Sequence, residues 1–167
     1  MQYRFIDRIA EIDTEGAGTV TCIKAFPRSE DFFNGTFREA NEVPSCLVLE
    51  AMAAAGSFLL TVRSRYRALA LLIKVNHATF RRPVLAGDRM IVRSQILGTQ
   101  GDWGERWGPA QAGGMAQTSA ECFVGETRVA EADLLFLCVP MARSVGTSME
   151  RTITSYLELI GLADDRP

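Results

Sequence analysis

Between Glu42 and Arg63 the chain carries a single charged residue, Glu50, set inside an apolar run from Cys46 to Val62. Pro44 marks the start of this run and Ser45 stands where a helix cap belongs. Leu47, Val48, Leu49, Ala51 and Met52, followed by Ala53-Ala54-Ala55, leave no polar side to a helix. A helix that is apolar all round is expected to be buried all round. Its small residues, from Ala51 to Ser57, would let the backbone of a surrounding sheet approach closely. The competing reading is a membrane span, which Arg63, Arg65 and Arg67 at one end favour. Against it, the run is at the short limit for a bilayer and contains a carboxylate. Strand-like sequence on both sides supplies a protein surface instead, so no membrane is expected.

Those flanks set the architecture. Tyr3 to Ile12 and Thr19 to Phe26 alternate as strands do, joined by the Gly16-Ala17-Gly18 turn. Ser29 to Val43 reads as a polar loop containing Asn34-Gly35. After the helix come four strand candidates: 68–80, 90–97, 115–124 and 127–139, the last two joined across Gly125-Glu126. Gly98 to Gly114 is long for a hairpin connection and holds both Trp103 and Trp107, which suggests a flap or an insertion. Thr147 to Leu162 fits a short helix through Met149, Ile153, Tyr156, Leu157 and Ile160. Two strands, one buried helix and four more strands describe an α+β domain over residues 1–141, a curved antiparallel sheet around a central helix, with a tail over 142–167. One sheet cannot cover so apolar a helix, so a dimer pairing two sheets is expected.

Composition narrows the function classes. The 167 residues carry 18 Lys+Arg against 20 Asp+Glu, a net charge of −2, which offers nucleic acid no basic surface. Met1 to Arg8 has no basic stretch leading into an apolar core, so a cytoplasmic chain is expected. Cys22, Cys46, Cys122 and Cys138 lie far apart and mostly in apolar runs, reading as buried free thiols. With one His and no CxxC pair, no metal site is expected, and no cofactor.

Glu50 is the chemically informative residue. A carboxylate in an apolar helix costs several kcal/mol unless it is paired or protonated. Burial would raise its pKa toward neutrality, which suits a proton donor or acceptor. An ion pair with an arginine of a neighbouring strand, with no chemistry at all, accounts for it equally well.

The surrounding residues carry a resemblance. Phe32-Phe33-Asn34-Gly35-Thr36-Phe37, followed by Val43-Pro44-Ser45-Cys46-Leu47-Val48-Leu49-Glu50-Ala51-Met52-Ala53, resembles the beta-hydroxyacyl-acyl-carrier-protein dehydratases, whose motif runs roughly FFxGHFPxxPxMPGxLxxEAMAQ. Phe80-Arg81-Arg82-Pro83-Val84-Leu85-Ala86-Gly87-Asp88 is similar to that family's FxRPVxPGD, and Phe5-Ile6-Asp7-Arg8-Ile9 to its opening FLxVDRV. The three blocks occur in order and the likeness spans about residues 3 to 140.

The resemblance implies a hotdog fold and the dehydration of a 3-hydroxyacyl thioester in fatty-acid or polyketide metabolism. In the family a His removes the C2 proton while an acidic residue on the central helix assists departure of the hydroxyl, the two coming from opposite subunits. The acidic residue carries over to Glu50. The His falls on Thr36, fourteen residues earlier. A Thr hydroxyl does not titrate near neutrality and cannot replace imidazole as a base. Arg38 and Asn41 stand where the family has prolines, and Ser45 where it has Gly. Substrate contacts are implied for Phe33, Gly35 and Phe37 in the loop, and for Pro44, Ser45 and Cys46 at the helix start. On the following strand they are implied for His77 and Phe80.

His77 is either a relocated base near the acyl tunnel or a strand histidine satisfied by its neighbours. Arg81 and Arg82 read as a surface for an acidic carrier protein or as solvated strand ends. Three functions stay open. The first is a hydro-lyase of the dehydratase type with a substitute base. The second is a non-catalytic subunit that binds acyl thioesters or acyl carrier protein, contributing Glu50 to a heterodimer with a His-bearing paralogue. The third is a hotdog thioesterase in which Glu50 activates water. The expected partners are an acyl-carrier-protein or coenzyme A thioester and further subunits, as a homodimer or a trimer of dimers.

Overall fold

The structure, a computed structural model, describes residues 4–30, 33, 41–101 and 114–140. Its elements are β1 (Arg8–Asp13), β2 (Thr19–Ala25), α1 (Ser45–Arg63), β3 (Ala68–Phe80), β4 (Arg89–Gln100), β5 (Gly114–Val124) and β6 (Thr127–Pro140). The strands form one antiparallel sheet in the order β1-β2-β4-β5-β6-β3, packed on α1. This is the α+β architecture expected, a sheet laid around one long helix. β4 continues three residues beyond the expected end at Leu97. The Trp103 and Trp107 segment, most of the Phe32–Phe37 block including Gly35, Thr36 and Phe37, and the 142–167 tail lie outside the described residues.

Alternation sets the two faces of the sheet. Ala116, Thr118, Ala120 and Cys122 of β5 and Ala132, Leu134, Phe136 and Cys138 of β6 are buried on the inner face, with half-buried residues between them. The alanines leave room for α1, which presents Val48, Ala51, Met52, Ala55, Leu59 and Leu60 to the same core. The approach is close at Gly56, where an added Cβ would lie 2.9 Å from Thr118 Oγ1 and 3.1 Å from the Phe136 ring. Only glycine fits there without displacing the sheet.

The helix is not buried all round. Ser45, Cys46 and Glu50 are exposed, and Leu49, Ala54, Ser57 and Phe58 are half-buried. A single sheet wraps one side of a cylinder and leaves the other bare. Cys46 is therefore an exposed thiol, whereas Cys22, Cys122 and Cys138 are buried as expected. Ser45 does not cap the helix; Pro44 occupies the cap position without a side-chain hydrogen bond, and Ser45 is the first helical residue. Proline's fixed φ suits it to a helix start. By length and composition Ser45–Arg63 is apolar enough to cross a membrane, and half of it is buried inside this domain.

β3 carries two irregularities. Register slips between Leu72 and Lys74 and between Val75 and His77, so Ile73 and Asn76 bulge. The first slip pairs Lys74 with the outward-facing Leu135, and Val75 with the inward-facing Leu134. Continued alternation would have driven the Lys74 ammonium toward the core.

Candidate active site

The sequence blocks that carry the resemblance meet at the start of α1. Val43 donates its N–H to the Val84 carbonyl at 2.8 Å, and Ala86 to the Asn41 carbonyl at 3.0 Å. Glu42 and Leu85 form an antiparallel bridge between the two segments. Asp88 closes its own turn by accepting the Leu85 N–H at 2.9 Å, and Gly87, at φ +93°, donates to the Phe26 carbonyl at 2.9 Å. The segment 41–44 is thus clamped against the 84–87 turn, which fixes where the helix begins. The N-terminal block is tied to the same region. Asp7 accepts the Ala25 N–H at 2.7 Å and pairs with the buried Lys24 ammonium at 3.2 Å.

Asn41 marks a local departure. Its φ is +51°, a left-handed conformation that asparagine tolerates, and Arg28 donates to its side-chain oxygen at 3.1 Å. Proline, locked near φ −65°, cannot adopt it. At residue 41 the backbone therefore takes a conformation closed to a proline.

Two serines give the direction of α1 along β3. Ser64 Oγ accepts the Ala68 N–H at 3.1 Å, and Ser57 Oγ donates to the Ala70 carbonyl at 2.7 Å. Helix and strand run antiparallel, with the Ser57 side of the helix along the strand. Glu50 lies seven residues before Ser57, two turns back on that same side, and about 10 Å along the axis. The stretch of β3 that follows Ala70 runs from Leu71 to Val75. The inner side of that stretch is apolar and open, Leu72 and Val75 each being 36% exposed. Phe80, 41% exposed and paired with the buried Ala130, extends the same side. Cys46 lies one turn before Glu50, beside the first N–H groups of the helix, where the dipole favours an acceptor oxygen.

His77 is elsewhere. It pairs with Asp133 on the outer face, where its Nε2 shares a 2.8 Å hydrogen bond with Thr79 Oγ1. There it lines a shallow cavity of about 300 Å³ with Ser119, Glu121, Glu131 and Asp133. The sheet separates this cavity from α1, so the structure does not bring His77 to Glu50. Arg81 pairs with Glu131, and Arg128 bonds both Glu121 and Glu131 at the same outer rim. Pro44, Ser45 and Cys46 stand at the start of α1, Phe80 ends β3, and Phe33 is buried in the core at 5% exposure. Leu72 and Val75, which the β3 register turns to the inner side, carry no signal of that in the sequence.

The family model of the FabA-like domain matches residues 1–133. A 3-hydroxyacyl-[acyl-carrier-protein] dehydratase FabZ of Protochlamydia amoebophila is 35% identical over 137 residues, covering 82% of this chain and 80% of that protein. Among solved structures, the conserved protein PA5202 from Pseudomonas aeruginosa superposes with a TM-score of 0.56 at 11% identity, covering 79% of this chain and 87% of that one. A hot-dog-like protein from Thermanaerovibrio acidaminovorans gives 0.54 at 12% identity, covering 83% and 89%.

Proposed function

The chain belongs to the FabA-like, beta-hydroxyacyl-acyl-carrier-protein dehydratase family, with the hotdog fold, and from that premise we propose that it is a cytoplasmic subunit binding 3-hydroxyacyl thioesters of fatty-acid or polyketide metabolism, with Glu50 as its acid. The observation that supports this reading is that Glu50 is exposed on the side of α1 whose Ser57, two turns on, is bonded to β3. The acyl chain lies against Leu72, Val75 and Phe80, and the helix N-terminus receives the thioester carbonyl. Glu50 protonates the departing hydroxyl as the C2 proton leaves to a base.

A second subunit completes the site. β3 is an edge strand with exposed Leu71, Leu72, Ile73 and Val75, a template for pairing with another chain. Pairing there covers the bare side of α1. Thr36 stands at the base position and His77 lies across the sheet, so a homodimer binds substrate without an imidazole at C2. The complete enzyme is then a heterodimer with a His-bearing paralogue, Glu50 coming from this chain. A thioesterase is the second reading, favoured by the exposure of Glu50, since a solvent-facing carboxylate can activate water.

The deciding experiment incubates the purified chain with a 3-hydroxyacyl thioester and follows enoyl product and free thiol separately. Binding with neither product is expected of the wild-type homodimer. Thr36→His is expected to raise enoyl formation by roughly 10²–10⁴-fold, and Glu50→Gln to abolish that gain. Free thiol that disappears in Glu50→Gln moves the assignment to the thioesterase. Wild-type enoyl formation that survives Glu50→Gln sinks the role given to Glu50.

A further inference from the structure

β3 is bonded to β6 along one side of its backbone and, among the described residues, to no strand along the other. Lys74 is the one fixed charge of this edge strand, set among the exposed Leu71, Leu72, Ile73 and Val75. The lysine is itself exposed and forms no ion pair among the described residues. Across β6 it faces Leu135; the next carboxylate on that side, Asp133, faces His77. A lysine on an exposed edge works against edge-to-edge pairing.

The faces of β3 decide how a second copy of the chain would pair with it. The strand runs from residue 68 to residue 80, so antiparallel pairing with its own copy over the full length centres on residue 74. In that register Ala70 meets Ala78 of the copy, both on the inner face, and Leu71 meets His77, both on the outer face. A slip of one residue sets the outer Leu71 against the inner Ala78 and mismatches the faces. The face-matched register leaves Lys74 opposite Lys74, on the outer face at the two-fold axis. Residues directly opposite have Cβ atoms about 5 Å apart, and like charges there oppose the pairing. A carboxylate at the facing position of a different chain turns the same lysine into one half of an ion pair.

Resting on the reading of β3 as the edge that receives the second subunit, we propose that Lys74 selects that subunit. It weakens pairing with a second copy of this chain and favours a chain of the same fold that presents Asp or Glu opposite it. The apolar neighbours of Lys74 supply attraction to any such edge, and the ammonium supplies the discrimination. A different chain is also what Glu50 needs, since a second copy brings Thr36 in place of an imidazole.

Mixing two forms of this chain tests the proposal. Isotope-labelled Lys74→Glu is combined with the wild type, and native mass spectrometry counts the dimers. Opposite charges at residue 74 favour mixed dimers, whose ratio to same-chain dimers is expected to exceed random pairing about fivefold at low salt. The excess should shrink at about 1 M salt, where the screening length is about 3 Å. Lys74→Ala, which only removes the like-charge contact, is expected to tighten self-association about two- to fivefold. Random mixing, an excess that salt leaves unchanged, or a mixture that stays monomeric overturns the proposal. So does a Lys74→Ala variant that associates no more tightly than the wild type. Hydrogen exchange on the dimers separates this failure from that of the pairing edge. Protected amides at 71–75 with random mixing keep β3 as the edge and remove only the choice made by Lys74. Amides there that exchange as in the monomer overturn both.

Discussion

Ser57 Oγ donates to the Ala70 carbonyl at 2.7 Å, and this bond ties the middle of α1 to the first third of the edge strand β3. It fixes which side of the helix lies along β3, the side that also carries Glu50 two turns earlier. Ser57→Ala is expected to cost about 1 kcal/mol, the usual worth of one such bond. Urea denaturation reads the loss, and amide exchange at Ala70–Leu72 should quicken more than in β5. An unchanged denaturation midpoint would remove the bond from the helix–strand anchor.

Gly56 and Thr118 make a tight helix–sheet approach, 2.9 Å between the position an added Cβ would take and the hydroxyl oxygen. Gly56→Ala gains helix propensity of about 1 kcal/mol, but overpacking costs about 1–3 kcal/mol. Net destabilisation is expected. Thr118 Oγ1 is itself buried without a hydrogen-bond partner. Thr118→Val keeps the shape and removes the stranded hydroxyl, so it is expected to stabilise by about 1 kcal/mol. Thermal unfolding of the two variants should move in opposite directions.

The cysteines divide by exposure. Burial pushes the Cys22 and Cys122 thiols up to about 12, and Cys138 to about 11. A neutral alkylating reagent at pH 7.5–8, a range of about one unit below the ordinary thiol pKa, should modify Cys46 alone in the native chain, as mass spectrometry of the digest would show. The raised values also carry a pH dependence. The folded state holds these protons where the unfolded state releases them, so this stability is complete below about 9 and is lost as pH rises toward 12. Cys122→Ala should flatten the alkaline limb of a stability–pH curve.

Asp13 closes the β1–β2 turn by accepting the N–H groups of Glu15, Gly16 and Ala17 at 3.1, 2.8 and 3.0 Å. The Gly16 bond leads in holding its carboxyl below the ordinary value of 3.8. A depressed folded pKa contributes stability above 3.8 that is lost as pH falls through the folded value. Asp13→Asn is expected to remove this part of the acid limb and leave the alkaline limb unchanged. Equal acid limbs in the two proteins would show that the turn persists in the unfolded chain.

The order of elements was legible in the sequence, because it is written in local signals. Alternation in 19–25 and 127–139, the Gly125 turn and the long apolar run over 46–62 each specify an element without reference to the rest of the chain. The motif blocks at 43–53 and 80–88 were legible too, and the bonds from Val43 to Val84 and from Ala86 to Asn41 show why they travel together. Orientation was not. An apolar helix with one carboxylate has no periodicity to say which side faces the sheet, and only the approach of Gly56 to Thr118 and the bond of Ser57 to Ala70 turn Glu50 outward. Likewise 71–77 reads as Leu-Leu-Ile-Lys-Val-Asn-His, in which no alternation separates inside from outside. Two bulges do so in the folded chain, placing Val75 on the inner side and Lys74 and His77 on the far face. A bulge is settled by pairing with a strand more than fifty residues away, so the divide between inner side and outer surface exists only after the sheet has formed.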